Sequence, residues 1–281
     1  MIRQAHKPIG PRGFTLAELA IVLLIIGLLL GGLLLPLGTQ VDLRRDAAAQ
    51  KSLEEIREAL LGYAVANRRL PCPDTDMDGL ENVNAVVVDS TPAPGQSTQT
   101  ITCVSDEGNL PYQNLGVGRE DQWGNLFRYR ASPSFTTTTI VWSGLGATGT
   151  TVSTTSFTLA STGNITVTTR GDNPATVGTV ESKFSLNLTT SAPAVVLSFG
   201  KNSYGATKAG GGALAAPPAS HADEIVNSNN GTTKASRTRT SDQAGCNDSI
   251  EGQPFCEFDD LVMWLPTTIL FSRMVAAGRL P

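Results

Sequence analysis

The sequence predicts an α+β protein, with one long amino-terminal helix packed on an antiparallel, β-rich globular domain. Three observations carry that expectation. Residues 14–35 are apolar apart from a single charge, Glu18. Residues 41–67 then repeat apolar side chains at three- and four-residue steps, the spacing of one helix face. From Cys72 onward, short runs rich in Val, Thr, Ile and aromatics alternate with Gly, Pro, Asn and Asp, the pattern of strands and turns.

The chain begins with a basic leader. Residues 1–13 hold Arg3, Lys7 and Arg12 and no acid. The 281-residue chain has a formal net charge of −4, and beyond the leader 18 basic residues face 25 acidic ones. A net acidic body, with no basic stripe interleaved with aromatics, argues against nucleic acid as a partner.

Residues 19–35 carry no charge at all. A helix over residues 14–35 would span roughly 33 Å, enough to cross a bilayer core. A cleaved secretory signal is disfavoured: the apolar run is too long, no small-x-small site follows it, and an acid lies inside it. A plain membrane anchor is the simpler alternative. However, a carboxylate in hydrocarbon costs at least about 2.5–3.5 kcal/mol, so Glu18 is expected to meet a cation supplied by another copy of the chain. Gly27, Gly31 and Gly32 would let such helices approach closely. Basic residues flank the span on both sides, with Arg44, Arg45 and Lys51 behind it, so the positive-inside count is tied. All four cysteines follow the span, which suits an oxidising compartment.

The amphipathic stretch places Leu53, Ile56, Leu60, Tyr63 and Ala64 on one stripe, with Glu54, Arg57 and Glu58 on the polar side. That stripe is expected to pack on the body. Arg69-Leu70-Pro71-Cys72-Pro73 should end the helix, because neither proline can continue it. Unbroken from residue 14 to residue 67, it would be roughly 80 Å long.

The basic leader ending in Gly13, the run Phe14-Thr15-Leu16-Ala17-Glu18-Leu19 and the apolar helix behind it resemble the amino terminus of type IV prepilins and type II secretion pseudopilins. The resemblance implies cleavage between Gly13 and Phe14 by a prepilin peptidase, followed by methylation of the new Phe14 amine. It implies a single-pass inner-membrane protein with a periplasmic body, later part of a periplasmic or extracellular filament. Its implied partners are the peptidase, other pilin or pseudopilin subunits and inner-membrane lipid. On this reading the chain divides into a leader (1–13), a transmembrane and filament-core helix (14–36), its amphipathic continuation (37–70) and a pilin-like, β-rich periplasmic domain (71–281). Physically, cleavage would create an amine four residues before Glu18. In a staggered bundle of parallel helices, Glu18 could neutralise the Phe14 amine of its neighbour and so fix axial register.

In the body, strands are expected at 84–88, 100–104, 126–130, 139–142, 156–159, 165–169, 184–188, 194–199 and 258–265. A short helix is expected at 267–277. The Ser/Thr-rich residues 132–169 read as an exposed β-ribbon, and residues 205–230, rich in Gly, Pro and Asn, as a loop. Residues 121–129 resemble the Trp-Gly-Asn turn of major pseudopilins, with Gln122 where that family has proline. There Trp123 reads as a buried aromatic anchor before a tight turn that starts a strand.

Asp74-Thr75-Asp76-Met77-Asp78-Gly79 has the alternating acids and glycine of a calcium loop. Ala85 stands where an EF-hand has its bidentate Glu, so the alternative, a solvated acidic turn, is the preferred reading. With no Cys-x-x-Cys, the cysteines are expected to form disulfides; of three pairings, Cys72 with Cys103 and Cys246 with Cys256 are favoured.

The expected function is that of a non-enzymatic structural subunit, a large minor pilin or pseudopilin, requiring no cofactor unless calcium binds. The alternatives are a filament-tip adhesin or binding module, and a membrane-tethered periplasmic enzyme. Against an enzyme, His221 is the only histidine outside the leader, and no Gly-x-Ser-x-Gly or Ser-x-x-Lys motif accompanies it.

Overall fold

The computed structural model of the chain describes residues 13–88, 96–143, 150–153, 157–171, 183–241 and 243–280, with side chains described outside 29–39, 85–98 and 140–153. The chain forms two units, Met1–Arg45 and Asp46–Pro281. Helix α1, Leu16–Asn67, begins in the first and ends in the second. In the first unit the described apolar side chains are exposed, Leu16 by 92% and Leu24 by 63%. Among the described residues no helix is long and apolar enough to cross a membrane. The expected span runs on through residues 29–36, whose side chains lie outside those described.

In the second unit the amphipathic stripe is buried, as its spacing requires. Leu53, Ile56, Leu60, Leu61 and Ala64 join Phe127, Tyr129, Phe135, Val196, Leu265, Leu270 and Met274 in the main core. Each buried leucine or isoleucine contributes about 1.5–3 kcal/mol relative to exposure. The helix stops where Arg68 turns left-handed, with φ 60° and its N–H still bonded to the Ala64 carbonyl. Pro71 and Pro73 then prevent renewed helix.

The body contains three sheets among the described residues. Strands β1 (Val83–Val88), β2 (Gln96–Cys103), β5 (Thr138–Ser143) and β6 (Thr150–Ser153) pair antiparallel in the order β1-β2-β5-β6. Strands β3 (Glu107–Asn109), β4 (Arg128–Ala131), β9 (Ala194–Ser198) and β11 (Leu261–Leu265) form a second antiparallel sheet, ordered β11-β9-β4-β3. Every residue of β9 is buried, because both faces are covered. Ala194 and Val196 enter the main core, while Val195 packs with Ile165, Val167 and Ala192. Those partners belong to the third sheet, of β7 (Ile165–Arg170), β8 (Ser185–Ala192) and β10 (Thr233–Ala235). There β10 runs parallel to β7, the one departure from antiparallel pairing among the described strands.

Buried ion clusters join these layers. The Glu107 carboxylate, with no side-chain exposure, accepts from Arg128 Nε, from Arg130 Nη1 at 2.9 Å and from Lys234 Nζ at 2.7 Å. Arg237 bridges Asp223 at 2.9 Å and Asp248 at 2.6 Å, and Asp248 also accepts the Cys256 N–H. Disulfides Cys72–Cys103 and Cys246–Cys256, with Cα separations of 5.2 and 4.9 Å, complete the staples.

Several expectations change, among them the strand expected over 258–265, which is shortened to β11, Leu261–Leu265. Residues 157–159 are not a strand: Phe157 turns inward and meets the Phe135 ring at 4.8 Å. Residues 205–230 contain a helix, α4 (Ala222–Ser228), because Asp223, Glu224 and Asn227 find buried partners there. The strand expected from residue 126 starts at Arg128, since Asn125 and Leu126 are still engaged in isolated bridges. Short helices α2 (Tyr112–Leu115) and α3 (Pro133–Thr136) interrupt the strands. The helix expected at the carboxyl end is α5, Thr267–Ala276, with Leu270 and Met274 inward.

Candidate processing and assembly segment

Gly13 and Phe14 precede α1 outside regular secondary structure, and Phe14 is 83% exposed. A Cβ added at Gly13 would meet nothing within 4 Å.

Thr15 caps the helix that follows. Its Oγ1 accepts the Glu18 N–H at 3.3 Å, while Glu18 Oε2 accepts the Thr15 N–H at 2.9 Å and its hydroxyl at 3.0 Å. This is a reciprocal capping box, which satisfies backbone donors that a helix start leaves without partners. In the single chain Glu18 therefore serves its own helix. The signal, Thr-x-x-Glu, stands in the sequence, but reading Glu18 only as half of an intermolecular pair passes over it.

The acidic loop is organised by its backbone. Asp74, 1% exposed, accepts the N–H groups of Asp76 at 3.0 Å and Met77 at 2.7 Å on Oδ1, and that of Gly79 at 2.9 Å on Oδ2. Asp78 Oδ1 accepts the Leu80 N–H at 2.7 Å, and Asn82 donates to Asp76 at 3.2 Å. Asp74, Asp76 and Asp78 still offer oxygens within 4.8 Å of one another, a spacing a hard cation could use. Gly79 is required twice over: φ is 85°, and a Cβ would lie 2.4 Å from the Tyr112 ring.

In the Trp-Gly-Asn turn, the anchor is Asp121 rather than Trp123, which is only half-buried and whose Nε1 has no partner. Asp121 Oδ1 accepts from the N–H groups of Trp123 at 2.9 Å and Asn125 at 2.8 Å, and Oδ2 accepts from Ser198 at 2.6 Å. The Gly124 N–H bonds to the Asp121 carbonyl, closing a turn with Asp first and Gly fourth, as type I turns favour. His221 lies just before α4, with Nδ1 3.1 Å from Glu224 Oε2. Cys246 and Cys256 lie close enough to His221 to suggest a metal group, but their sulfurs are joined to each other.

Residues 11–34 match the prokaryotic N-terminal methylation motif. No curated protein and no solved structure matches the chain.

Proposed function

From a chain whose residues 11–34 are a type IV prepilin- or pseudopilin-type segment, we propose a non-enzymatic structural subunit of a type IV pilus or type II secretion pseudopilus. Prepilin peptidase cleaves between Gly13 and Phe14, the Phe14 amine is methylated, and residues 14–36 hold the subunit in the inner membrane until it joins a filament. The observation that carries this reading is the coincidence of the matched motif with an exposed Gly13 and Phe14 directly ahead of α1. The uncharged residues 19–35 supply the apolar surface for lipid and then for neighbouring helices.

On assembly, Glu18 meets the Phe14 amine of an adjacent subunit. A carboxylate already held at a helix start reaches that partner with part of its ordering cost met.

Two measurements test this. Mass spectrometry of the membrane-extracted protein should find N-methylated Phe14 as the first residue; intact Met1 in cells with active peptidase defeats the reading. Glu18→Ala should be cleaved yet fail to enter filaments, scored by shearing and immunoblotting. Normal incorporation of that variant rules out the charge pairing while leaving the cleavage result to stand or fall separately.

A further inference from the structure

His221, Cys246 and Cys256 place an imidazole nitrogen and two sulfurs within 4.8 Å of one another. In the oxidised chain the sulfurs are bonded to each other and hold nothing else. The backbone, however, gathers the three residues without help from that bond. Asn247, next to Cys246, donates its N–H at 3.0 Å to the carbonyl of Pro254, close before Cys256. Asp248 donates its N–H at 2.9 Å to the carbonyl of Ser220, which adjoins His221. The Asp248 carboxylate accepts the Cys256 N–H at 3.0 Å, and Arg237 Nη2 donates to the Cys256 carbonyl at 2.7 Å. Opening the disulfide therefore frees two thiols beside an imidazole, and these contacts keep them there.

The imidazole is already set as a ligand. Glu224 Oε2 lies 3.1 Å from His221 Nδ1, which leaves Nε2 for a metal. Glu224 is itself 0% exposed, and Asn202 Nδ2 donates to its other oxygen at 2.6 Å. A carboxylate held behind a histidine fixes the tautomer and ring orientation that metal ligation needs. The group is open on one side, because His221 and Cys246 are half-buried while Cys256 is fully buried.

We propose that the reduced chain binds one zinc ion through Cys246, Cys256 and His221, with water in the fourth position. Two thiolates and an imidazole suit zinc, which favours sulfur and nitrogen, and not calcium, which takes oxygen. A thiol reductant supplies two electrons and two protons to the Cys246–Cys256 bond, giving two thiols and leaving the reductant as its own disulfide. Zinc then displaces both thiol protons, which pass to solvent. The ion replaces one cross-link by another across the same loop, and it ties that loop to the start of α4 as well. A disulfide oxidant reverses both steps and releases the ion. The site is independent of the filament reading.

The test uses the full chain in detergent, reduced with a phosphine, desalted without oxygen and titrated with zinc chloride against a chromophoric chelator. Cobalt chloride in a parallel sample reports the ligands. The reduced wild type should bind one zinc ion, and its cobalt form should show thiolate-to-metal charge transfer and tetrahedral bands. The oxidised chain should show neither. Cys246→Ser and His221→Ala should lose tight binding and the tetrahedral bands, and Glu224→Gln should weaken zinc by about 10–100-fold. Replacing Cys72 and Cys103 together by Ser should leave binding intact, since that variant lacks only a bond that reduction has already opened in the wild type. If Cys246→Ser fails to fold, this double variant decides alone: one ion per chain supports the proposal, and none overturns it. No zinc on the reduced wild type, or equal binding by the oxidised chain, by Cys246→Ser or by His221→Ala, also overturns it.

Discussion

Replacing Glu81 by Gln should cost the body about 3–5 kcal/mol, the range for breaking one partner of a buried pair. Glu81 and Arg69 are 14% and 10% exposed at the side chain and meet through two bonds, Nη1 to Oε2 at 2.7 Å and Nη2 to Oε1 at 2.6 Å. The same carboxylate accepts the Cys72 N–H at 2.9 Å and the Tyr63 hydroxyl at 2.7 Å. It therefore joins the last turn of α1 to the first disulfide. An amide of the same shape offers one acceptor oxygen and turns an NH2 toward the guanidinium, leaving Arg69 buried without its counter-charge.

The pH dependence of this loss has a definite sign. Burial alone would raise the Glu81 carboxyl, but hydrogen bonds and the charge of Arg69 together hold it below its ordinary value. The folded state thus favours the ionised form. Its contribution is complete above the ordinary glutamate pKa of about 4.3 and is lost as pH falls through the lower folded value. Urea unfolding of the oxidised chain in detergent, followed by tryptophan fluorescence, should show the midpoint of Glu81→Gln lowered by about 1–2 M at pH 7. The gap from wild type should narrow only below about pH 4.3. Adding Arg69→Met should recover at least about 1 kcal/mol of the summed single losses. A loss under about 1 kcal/mol at pH 7, or one that does not change into acid, would refute this account of the pair.

Other perturbations test separate parts of the structure. Leu60→Ala, at a position with no exposure, should destabilise by about 2.7–5 kcal/mol in the same urea assay; a loss below 1 kcal/mol would mean the stripe is not packed as described. Replacing Cys72 and Cys103 together by Ser opens a loop with a sequence separation of 31 and should cost about 3–4 kcal/mol in the loop-entropy account, read as a lower urea midpoint with an unchanged far-UV spectrum. Gly79→Ala should lower the Tm measurably, because the new Cβ meets Tyr112 at 2.4 Å with φ at 85°; an unchanged Tm would show that the loop and ring move apart freely.

Much of the fold was legible because its signals are periodic. Leu53, Ile56, Leu60 and Ala64 recur at helical spacing, and the structure buries all four. The runs at β1, β5, β7 and β9 are β-branched and bounded by turn residues, so their existence, though not their ends, could be read. What could not be read depends on contacts between distant segments. Helix α4 lies among glycines, prolines and asparagines, and its polar residues look like loop until Asn202 and Asp260 supply partners for Glu224 and Asn227. Trp123 drew attention by size, yet Asp121, a small residue with four backbone and side-chain donors around it, holds the turn. The prepilin-type segment over residues 11–34 was the most legible part, because its signal lies in neighbours in sequence rather than in space; the Thr15–Glu18 cap is just as local, yet was passed over.

The bond from Lys234 to Glu107 links residues 127 positions apart, and β4 finds β9 only after more than sixty intervening residues, Arg128 facing Leu197. Chains that must close such wide loops before any reward arrives reach their native form slowly. A newly made body of this kind lingers with its strand edges open. On the proposed membrane-anchored reading, tethering each copy by its own amino-terminal helix would keep those edges apart from one another during that wait, so the segment proposed to draw subunits together would first serve to hold them separate.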